Sequence, residues 1–148
     1  VNVEYPSEPA RSFRVINEGT NRFSVLNGSQ QMKMIDTLKT KEYLGRFALV
    51  NFESIIPSFP QHKADSLNKV TPFATIEITD VLGLKSKIKL WKMPNIDKVM
   101  QYDGTVPEFN PNAVYGLNEG DNVFVTVQYY VLDPILKDPT YFMYSKVN

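Results

Sequence analysis

Cysteine is absent from the 148-residue chain, and histidine occurs only once. Without cysteine the chain has no disulfide, no thiolate metal site, no iron–sulfur cluster and no cysteine nucleophile. Zinc sites take three or four ligands, drawn mainly from histidine and cysteine, so a single histidine argues against a zinc site.

An excess of charge of one sign is also absent, because 16 Lys and Arg balance 16 Asp and Glu. Proteins that bind mainly nucleic acid or an anionic membrane carry a basic excess, so we expect neither as the main partner. Long apolar runs are missing too, and the best ones, such as 47–50, fall far short of the roughly 18 residues that span a bilayer. We expect membrane association only through an anchor, and any export signal or anchor to precede Val1.

Apolar and aromatic residues are plentiful, at 43% and 12% of the chain. A chain of this length normally folds as one domain that buries roughly 68–70% of its unfolded surface, so we expect a single domain over 1–148. Strands precede a helix once in each half of the chain. An internal duplication, 1–62 and 63–148, therefore stays an open alternative.

Alternation of apolar and polar residues is the dominant local pattern. It predicts strands at residues 1–6, 12–17, 21–27, 73–81, 86–93 and 122–131. Between Asp36 and Phe52 apolar residues recur at three- and four-residue steps instead, which predicts a helix over 37–50 capped by Asp36 or Thr37. A second, short helix is expected at 61–68. The fold class is therefore α+β, mainly antiparallel sheet, with one principal helix packed on a face and a short second helix.

The clearest local prediction is a hairpin between the strands at 73–81 and 86–93. A three-residue loop with Gly83 in the left-handed conformation pairs Asp80 with Leu84. This register sets four cross-strand pairs: Ala74 with Leu90, Ile76 with Ile88, Glu77 with Lys87 and Phe73 with Trp91. The charged pair is expected to form an ion pair on the outward face.

Residues 94–122 are rich in proline, glycine, asparagine and aspartate. We predict a long irregular connection there, with a short strand at 113–117, and loops of this length are often functional. Farther along, Asp133 before Pro134 predicts one helical turn over 134–137, because aspartate caps a helix that proline begins.

The single histidine, His62, lies close to Asp65 and Ser66. A catalytic triad normally draws its members from separate elements, and no nucleophile-elbow motif accompanies these residues. We therefore expect His62 to be a solvated side chain near a helix end, and we assign no catalytic residue.

Carboxylates are the only abundant groups that could carry catalysis or bind calcium. Five of them fall in the irregular region: Asp97, Asp103, Glu108, Glu119 and Asp121. A glycosidase-like pair or a calcium cluster would need several of these close together. The favoured interpretation is that they are polar residues in solvated turns, with no metal and no cofactor.

Three lysines, Lys85, Lys87 and Lys89, share a strand face with Trp91, as in platforms that stack single-stranded nucleic acid. Glu77 on the neighbouring strand lies on the same face, and the whole chain is neutral. Lysines on an exposed strand also discourage edge pairing, so we expect no nucleic-acid partner.

Aromatic residues could form a contact surface for a protein, a peptide or a glycan. The candidate binding surface consists of five residues: Trp91, Tyr102, Tyr115, Tyr130 and Tyr141. The alternative is that several of them are buried as core. The ligand-binding interpretation requires them to be exposed together.

Several segments resemble a family of bacterial domains of unknown function. They are Tyr5-Pro6-Ser7-Glu8-Pro9, Ser12-Phe13, Asp36-Thr37-Leu38-Lys39, Tyr43-Leu44-Gly45-Arg46-Phe47, Asn51-Phe52-Glu53, Lys63-Ala64-Asp65-Ser66-Leu67, Val127-Gln128-Tyr129-Tyr130-Val131, Ile135-Leu136-Lys137 and Tyr141-Phe142. The resemblance implies export or anchoring at the cell envelope, often as a lipoprotein, and for some members genes beside gliding-type ABC-transporter components. It carries no catalytic residues.

These observations lead to an expected function of a non-catalytic, envelope-associated module that contacts another protein, such as an envelope or transporter component. The alternative is a peptide- or glycan-binding module that uses exposed aromatics and the 94–122 loop. A carboxylate-based hydrolase ranks third.

Overall fold

The computed structural model describes residues 1–47 and 54–144. Within these residues nine strands form one sheet in which every pair is antiparallel. The strands are β1 (Asn2–Glu4), β2 (Phe13–Gly19), β3 (Arg22–Asn27), β4 (Gln30–Gln31), β5 (Ser54–Ile55), β6 (Ala74–Thr79), β7 (Lys85–Pro94), β8 (Phe109–Asn118) and β9 (Val123–Gln128). Their order across the sheet is β4-β3-β2-β1-β6-β7-β8-β9-β5. The α+β class, mainly antiparallel sheet, is confirmed.

Three α-helices accompany the sheet in the described part of the chain: α1 (Thr37–Arg46), α2 (Gln61–Asn68) and α3 (Tyr129–Leu132). The Asp36 side chain caps α1 by accepting a hydrogen bond from the Lys39 N–H at 3.0 Å, as the sequence indicates. The second helix has the predicted bounds. The predicted end of the first helix, at 48–50, lies outside the described residues, as does the segment 51–53. No helix in the described ranges is long and apolar enough to cross a bilayer.

The hairpin of β6 and β7 has the predicted register, with Ile76 opposite Ile88 and Glu77 opposite Lys87. Gly83 has φ +82° at the turn. Asp80 stabilises this turn, because its Oδ1 accepts hydrogen bonds from the backbone N–H groups of Leu82 and Leu84.

The expected ion pair between Glu77 and Lys87 is wrong. Glu77 instead contacts Lys85, whose Nζ lies 3.3 Å from its Oε1. Lys87 turns to the other side of β7, where β8 ends, and its Nζ lies 3.2 Å from Glu119 Oε2. Lys89 shares the same carboxylate. The backbone register determines which residues of β6 and β7 lie opposite each other. The neighbouring strand β8 determines which charged side chains form ion pairs.

Residues 109–118 form β8 between β7 and β9, so the short strand predicted at 113–117 is confirmed, while the irregular connection predicted around it is wrong for 109–112 and 118. The register with β7 shifts between Lys92 and Pro94, which leaves room for a bulge around Pro111. Asn110 supports the bulge, because its Oδ1 accepts hydrogen bonds from the backbone N–H groups of Asn112 and Ala113. Pairing on both sides thus overrides a local sequence typical of loops.

The predicted strand over 122–131 ends early, because the residues from Tyr129 onward form α3. The predicted helical turn over 134–137 is also wrong, and these residues form turns after α3. The next aspartate–proline pair, five residues after Asp133, does begin a helical turn. Asp138 accepts a hydrogen bond from the Thr140 N–H and caps the 3₁₀ turn Pro139–Phe142. Turning after β9 lets the chain bury Leu132 and Ile135.

The two faces of the sheet carry separate buried clusters. On the first face Tyr43 of α1 and Phe142 pack with apolar residues of β1, β2, β6, β7, β8 and β9. On the second face Ala64 of α2 packs on Trp91, Leu117 and Phe124. Successive side chains of a strand point to opposite faces, which explains why Leu90 lies in the first cluster and Trp91 in the second. The two helices therefore cover opposite sides of the sheet.

Alkaline pH is expected to weaken the first cluster. Tyr5 is only 4% exposed, and its hydroxyl donates to the Lys137 carbonyl oxygen at 2.7 Å. Burial raises the pKa of Tyr5 from 10.0 to about 12. The folded protein therefore holds the phenolic proton more tightly than the unfolded chain does, and this stabilisation is complete below pH 10 and is lost as the pH rises through about 12. Urea unfolding should show a falling midpoint across that range.

The Tyr5→Phe variant is the control for this effect. It loses the hydrogen bond to Lys137 at all pH values, which costs about 1 kcal/mol, but it has no phenol to ionise. Its midpoint should fall less steeply between pH 10 and 12, with the remaining slope owed partly to Tyr43, whose pKa burial also raises. Equal slopes for the two proteins would contradict the assignment to Tyr5.

Candidate functional site

A cavity of about 450 Å³ opens between α2 and the paired strands β7 and β8. Its lining consists of Phe59, Lys63, Ser66, Leu67, Val70, Thr71, Phe73, Trp91, Lys92, Pro94, Ile96, Phe109 and Tyr115. We call it the α2 cavity. Aromatic and aliphatic side chains dominate it, and its size falls within the range of roughly 300–1,000 Å³ that is typical of small-molecule sites.

Trp91 and Tyr115 lie next to each other in the sheet, because they are directly opposite across β7 and β8. Trp91 is 4% exposed, and its indole Nε1 donates to the Val70 carbonyl oxygen at 2.8 Å. That bond fixes the indole and ties it to the chain leaving α2. Phe59 packs edge-on against Tyr115, with ring centroids 5.3 Å apart, and stacks on Phe124 at 4.0 Å. The aromatic wall is therefore held from several sides.

The helix α2 supplies the opposite wall. Lys63, Ser66 and Leu67 are three and four residues apart, so they share one face of the helix. Leu67 packs against the second cluster, while Lys63 is exposed. The Ser66 hydroxyl donates to the His62 carbonyl oxygen at 2.7 Å, within the helix. That contact ties the hydroxyl to the helix backbone.

The mouth of the cavity borders a loop, residues 95–108, that a single asparagine organises. The Asn95 side chain donates to the Val99 and Pro107 carbonyl oxygens at 2.9 and 3.0 Å and accepts from the Val99 N–H at 2.8 Å. Its backbone N–H donates to the Glu108 carbonyl oxygen. Four apolar or aromatic side chains are exposed on this loop: Ile96, Met100, Tyr102 and Val106. Ile96 also lines the cavity, so the exposed loop and the cavity are continuous.

The charges at the cavity are of one sign. Of the residues that the structure describes, Lys63 and Lys92 line it and no carboxylate does. The Lys92 Nζ lies 5.3 Å from the centre of the Phe109 ring, within the range of a cation–π contact. Within residues 1–47 and 54–144 neither lysine forms an ion pair. The site therefore combines an apolar interior with two lysines that have no carboxylate partner there.

The five aromatic residues of the predicted binding surface do not lie together. Trp91 and Tyr115 meet in the α2 cavity, but Trp91 is buried and Tyr115 is half-buried. Tyr102 is exposed on the 95–108 loop, and Tyr130 is exposed on α3. Tyr141 is half-buried, with its ring centroid 6.2 Å from that of Tyr43. The prediction of one exposed patch fails because α2 covers the face of the hairpin that carries Trp91.

The five loop carboxylates are not part of the cavity lining. Glu119 lies between two lysines, and the hydrogen bond from Lys89 holds its pKa below the usual range. The hydrogen bond from Thr105 likewise lowers the pKa of Asp103. Asp121 accepts from the Asn118 side-chain amide at 2.9 Å, in the tight turn before β9. In the described ranges no three histidine, aspartate or glutamate side chains gather where they could hold a metal ion.

The sequence interpretation missed most of the cavity lining, including its apolar residues Phe59, Leu67, Val70, Ile96 and Phe109. One available signal was the helical spacing of Ala64 and Leu67, which gives α2 an apolar side that must face something. The position of Phe109 had no comparable signal, since the short strand predicted in this region began only at residue 113.

Comparison with known proteins adds no relative. No family model matches the chain, and searches of curated proteins and of solved structures both end without a match. The resemblance to envelope-anchored bacterial domains therefore stays a prediction that rests on the sequence segments.

Proposed function

We propose that the protein is a non-catalytic binding module that receives an apolar ligand group in the α2 cavity. One observation carries the proposal, namely a cavity of about 450 Å³ lined by fixed aromatic and aliphatic side chains. Burying apolar surface there is favourable by about 25 cal/mol per Å². Because Trp91 and Phe59 are already held in place, little side-chain freedom is lost when a ligand enters.

The polar groups of the cavity favour binding over catalysis. General acid–base chemistry needs a titratable group with a suitable pKa beside the reacting atoms. The lining residues that the structure describes include no histidine and no carboxylate, and the Ser66 hydroxyl donates a hydrogen bond to a backbone carbonyl oxygen. The carboxylate hydrolase therefore ranks below binding.

Among possible ligands, the lining favours an apolar group over a glycan. Sugars carry many hydroxyl groups, and each one that is buried without a partner costs free energy. The cavity offers few polar atoms besides the Ser66, Thr71 and Tyr115 hydroxyls and the two lysine ammonium groups. The small number of polar groups in the lining therefore favours an apolar ligand over a glycan.

A protein partner is the second candidate, supported by the 95–108 loop. The loop is held by its own hydrogen bonds yet exposes Ile96, Met100 and Tyr102. Exposed apolar side chains on an ordered loop are typical of contact surfaces, where they bind at low entropic cost. Together with the family resemblance, this supports a role at the cell envelope that includes contact with another envelope or transporter component.

Binding of N-phenylnaphthylamine, a neutral apolar dye, tests the cavity. Its fluorescence should rise on addition of the protein, because the dye leaves water for an apolar site. Val70→Asp places a carboxylate among the lining residues, at a side chain that is already 57% exposed. We expect dye affinity to fall about tenfold or more, since the dye can no longer enter without desolvating a charge.

The matched control is Val81→Asp at the hairpin tip, where Val81 is fully exposed and outside the cavity. It makes the same chemical change to the protein and should leave dye affinity within twofold. Thermal unfolding of both variants checks that they are folded. Equal dye affinity in the two variants, or no binding to the unmodified protein, would contradict the proposal.

A further inference from the structure

We propose that the α2 cavity binds a single-chain anionic amphiphile, in which a hydrocarbon chain fills the cavity and a carboxylate lies between Lys63 and Lys92. The inference rests on the proposed function, because it names the ligand class of the same site. Three properties of the cavity support it: the positive charge of its lysines, the small number of hydrogen-bonding groups in its lining, and its volume.

The charges select an anion. Lys63 lies on α2 and Lys92 on β7, so each of the two elements that flank the cavity contributes one lysine to its lining. Among residues 1–47 and 54–144 no carboxylate lines the cavity to neutralise them. An anionic group on the ligand would gain from both charges, whereas a cationic group would be repelled by both.

The interior selects a hydrocarbon chain over a peptide. Every peptide unit brings an N–H and a C=O that need partners when buried. The cavity offers only a few side-chain donors and acceptors, and the sheet edge that could pair with a peptide is absent because β7 and β8 pair with each other along the floor. A hydrocarbon chain makes no such demand.

The volume is suited to one chain. About 450 Å³ lies toward the lower end of the range for small-molecule sites. Ile96 and Phe109 are exposed members of the lining, and the Lys92 Nζ lies 5.3 Å from the centre of the Phe109 ring, whereas Trp91 and Leu67 belong to the second buried cluster. A chain lying along Trp91 and Leu67 would therefore have its head group at the exposed side of the cavity, near Lys92. The fold therefore offers an apolar interior and a cationic mouth in the order that an amphiphile requires.

Displacement of N-phenylnaphthylamine by three ligands with the same chain tests the charge preference: decanoate, decanol and decyltrimethylammonium. All are used below the concentrations at which they form micelles. We expect decanoate to bind about three- to tenfold more tightly than decanol at low salt, and the cation more weakly than either. Non-specific partition into apolar surface would give the opposite order for decanoate and decanol, because a carboxylate is costly to desolvate.

Charge-reversal variants test whether the two cavity lysines cause the preference for decanoate. Lys63→Glu combined with Lys92→Glu should weaken decanoate about tenfold and change decanol by less than twofold. Lys41→Glu on α1, outside the cavity lining, makes the same kind of charge change and should leave the affinity for decanoate nearly unchanged. Affinity should also rise about fourfold per methylene from octanoate to decanoate, as each methylene leaves water.

The outcomes separate this inference from the proposed function. Decanol binding as tightly as decanoate, or a decanoate affinity that both lysine substitutions leave intact, would overturn the anionic ligand while the apolar site stands. Failure of the dye and of all three ligands to bind would overturn both. The comparison of ligands uses the unmodified protein, so it decides the matter even where a variant does not fold.

Discussion

Replacing Tyr43 with alanine is expected to lower the free energy of unfolding by about 3–5 kcal/mol, a large part of the 5–15 kcal/mol typical of a domain. Tyr43 is fully buried on α1. Its ring makes edge-on contacts with Phe13, Phe47 and Phe142, with centroids 5.7, 5.3 and 5.0 Å away. Its hydroxyl donates to the Ile135 carbonyl oxygen at 3.0 Å. Urea unfolding followed by circular dichroism measures the loss.

Two further variants divide this effect into its parts. Tyr43→Phe keeps the ring but removes one of the two donors to the Ile135 carbonyl oxygen, which still accepts from the Lys137 N–H at 2.9 Å, so it should cost about 1 kcal/mol. Leu38→Ala on the same helix removes an apolar side chain that is 66% exposed, and should change stability by less than about 0.5 kcal/mol. A loss for Tyr43→Ala no larger than that for Leu38→Ala would refute the central role of Tyr43 in the core.

Tyr43 matters because it joins three distant parts of the chain. Phe13 belongs to an early strand, Tyr43 to α1, and Phe142 to the turn near the end. The Asp36 N–H also donates to the Phe142 carbonyl oxygen at 2.7 Å, directly before α1. Losing Tyr43 therefore loosens the attachment of the C-terminal turns as well as that of the helix.

The backbone register of the hairpin of β6 and β7 could be predicted because its information is local. Gly83 and Asp80 set the turn, and the alternation of residues then fixes every pair down to Ala74 and Leu90. The bounds of α2 were equally local, because prolines flank it. The segment 109–118 shows the opposite case. Its single proline, Pro111, and its asparagines are typical of loops, so the sequence predicted only 113–117 as a strand, and the full strand forms because β7 and β9 are present to pair with it.

The α2 cavity was harder to predict than the strands that form it. Alternation correctly placed Trp91 on the opposite face from Leu90, but it did not reveal whether that face meets water or a helix. The outward assignment followed from the neighbouring lysines. The same face of β7 in fact meets both, because the half-buried Lys89 forms an ion pair with Glu119, whereas Trp91 lies beneath α2. Which helix covers which face is tertiary information that a single strand does not contain.

Substituting Gly116 with valine is expected to destabilise the protein by about 3 kcal/mol, through overpacking in the middle of the sheet. Gly116 is buried on β8, between Leu90 on one side and Val125 on the other. A Cβ at this position would lie 2.9 Å from Ile88 Cδ1, 2.9 Å from Val125 Cγ2 and 3.3 Å from Val127 Cγ2. Valine adds two further methyl groups to the same space. Urea unfolding of the variant gives the free-energy change.

Ser86→Val and a double substitution show whether crowding is the cause. Ser86 is an exposed position on β7, so valine there should change stability by less than about 0.5 kcal/mol. Val125→Ala alone should cost about 2 kcal/mol by leaving a cavity. When it is combined with Gly116→Val, it removes the methyl group that the new valine side chain would strike. The loss of unfolding free energy in the double variant should therefore be smaller, by at least about 1 kcal/mol, than the sum of the losses in the two single variants. Simple additivity would show that Gly116 is required for a reason other than the close approach of Val125.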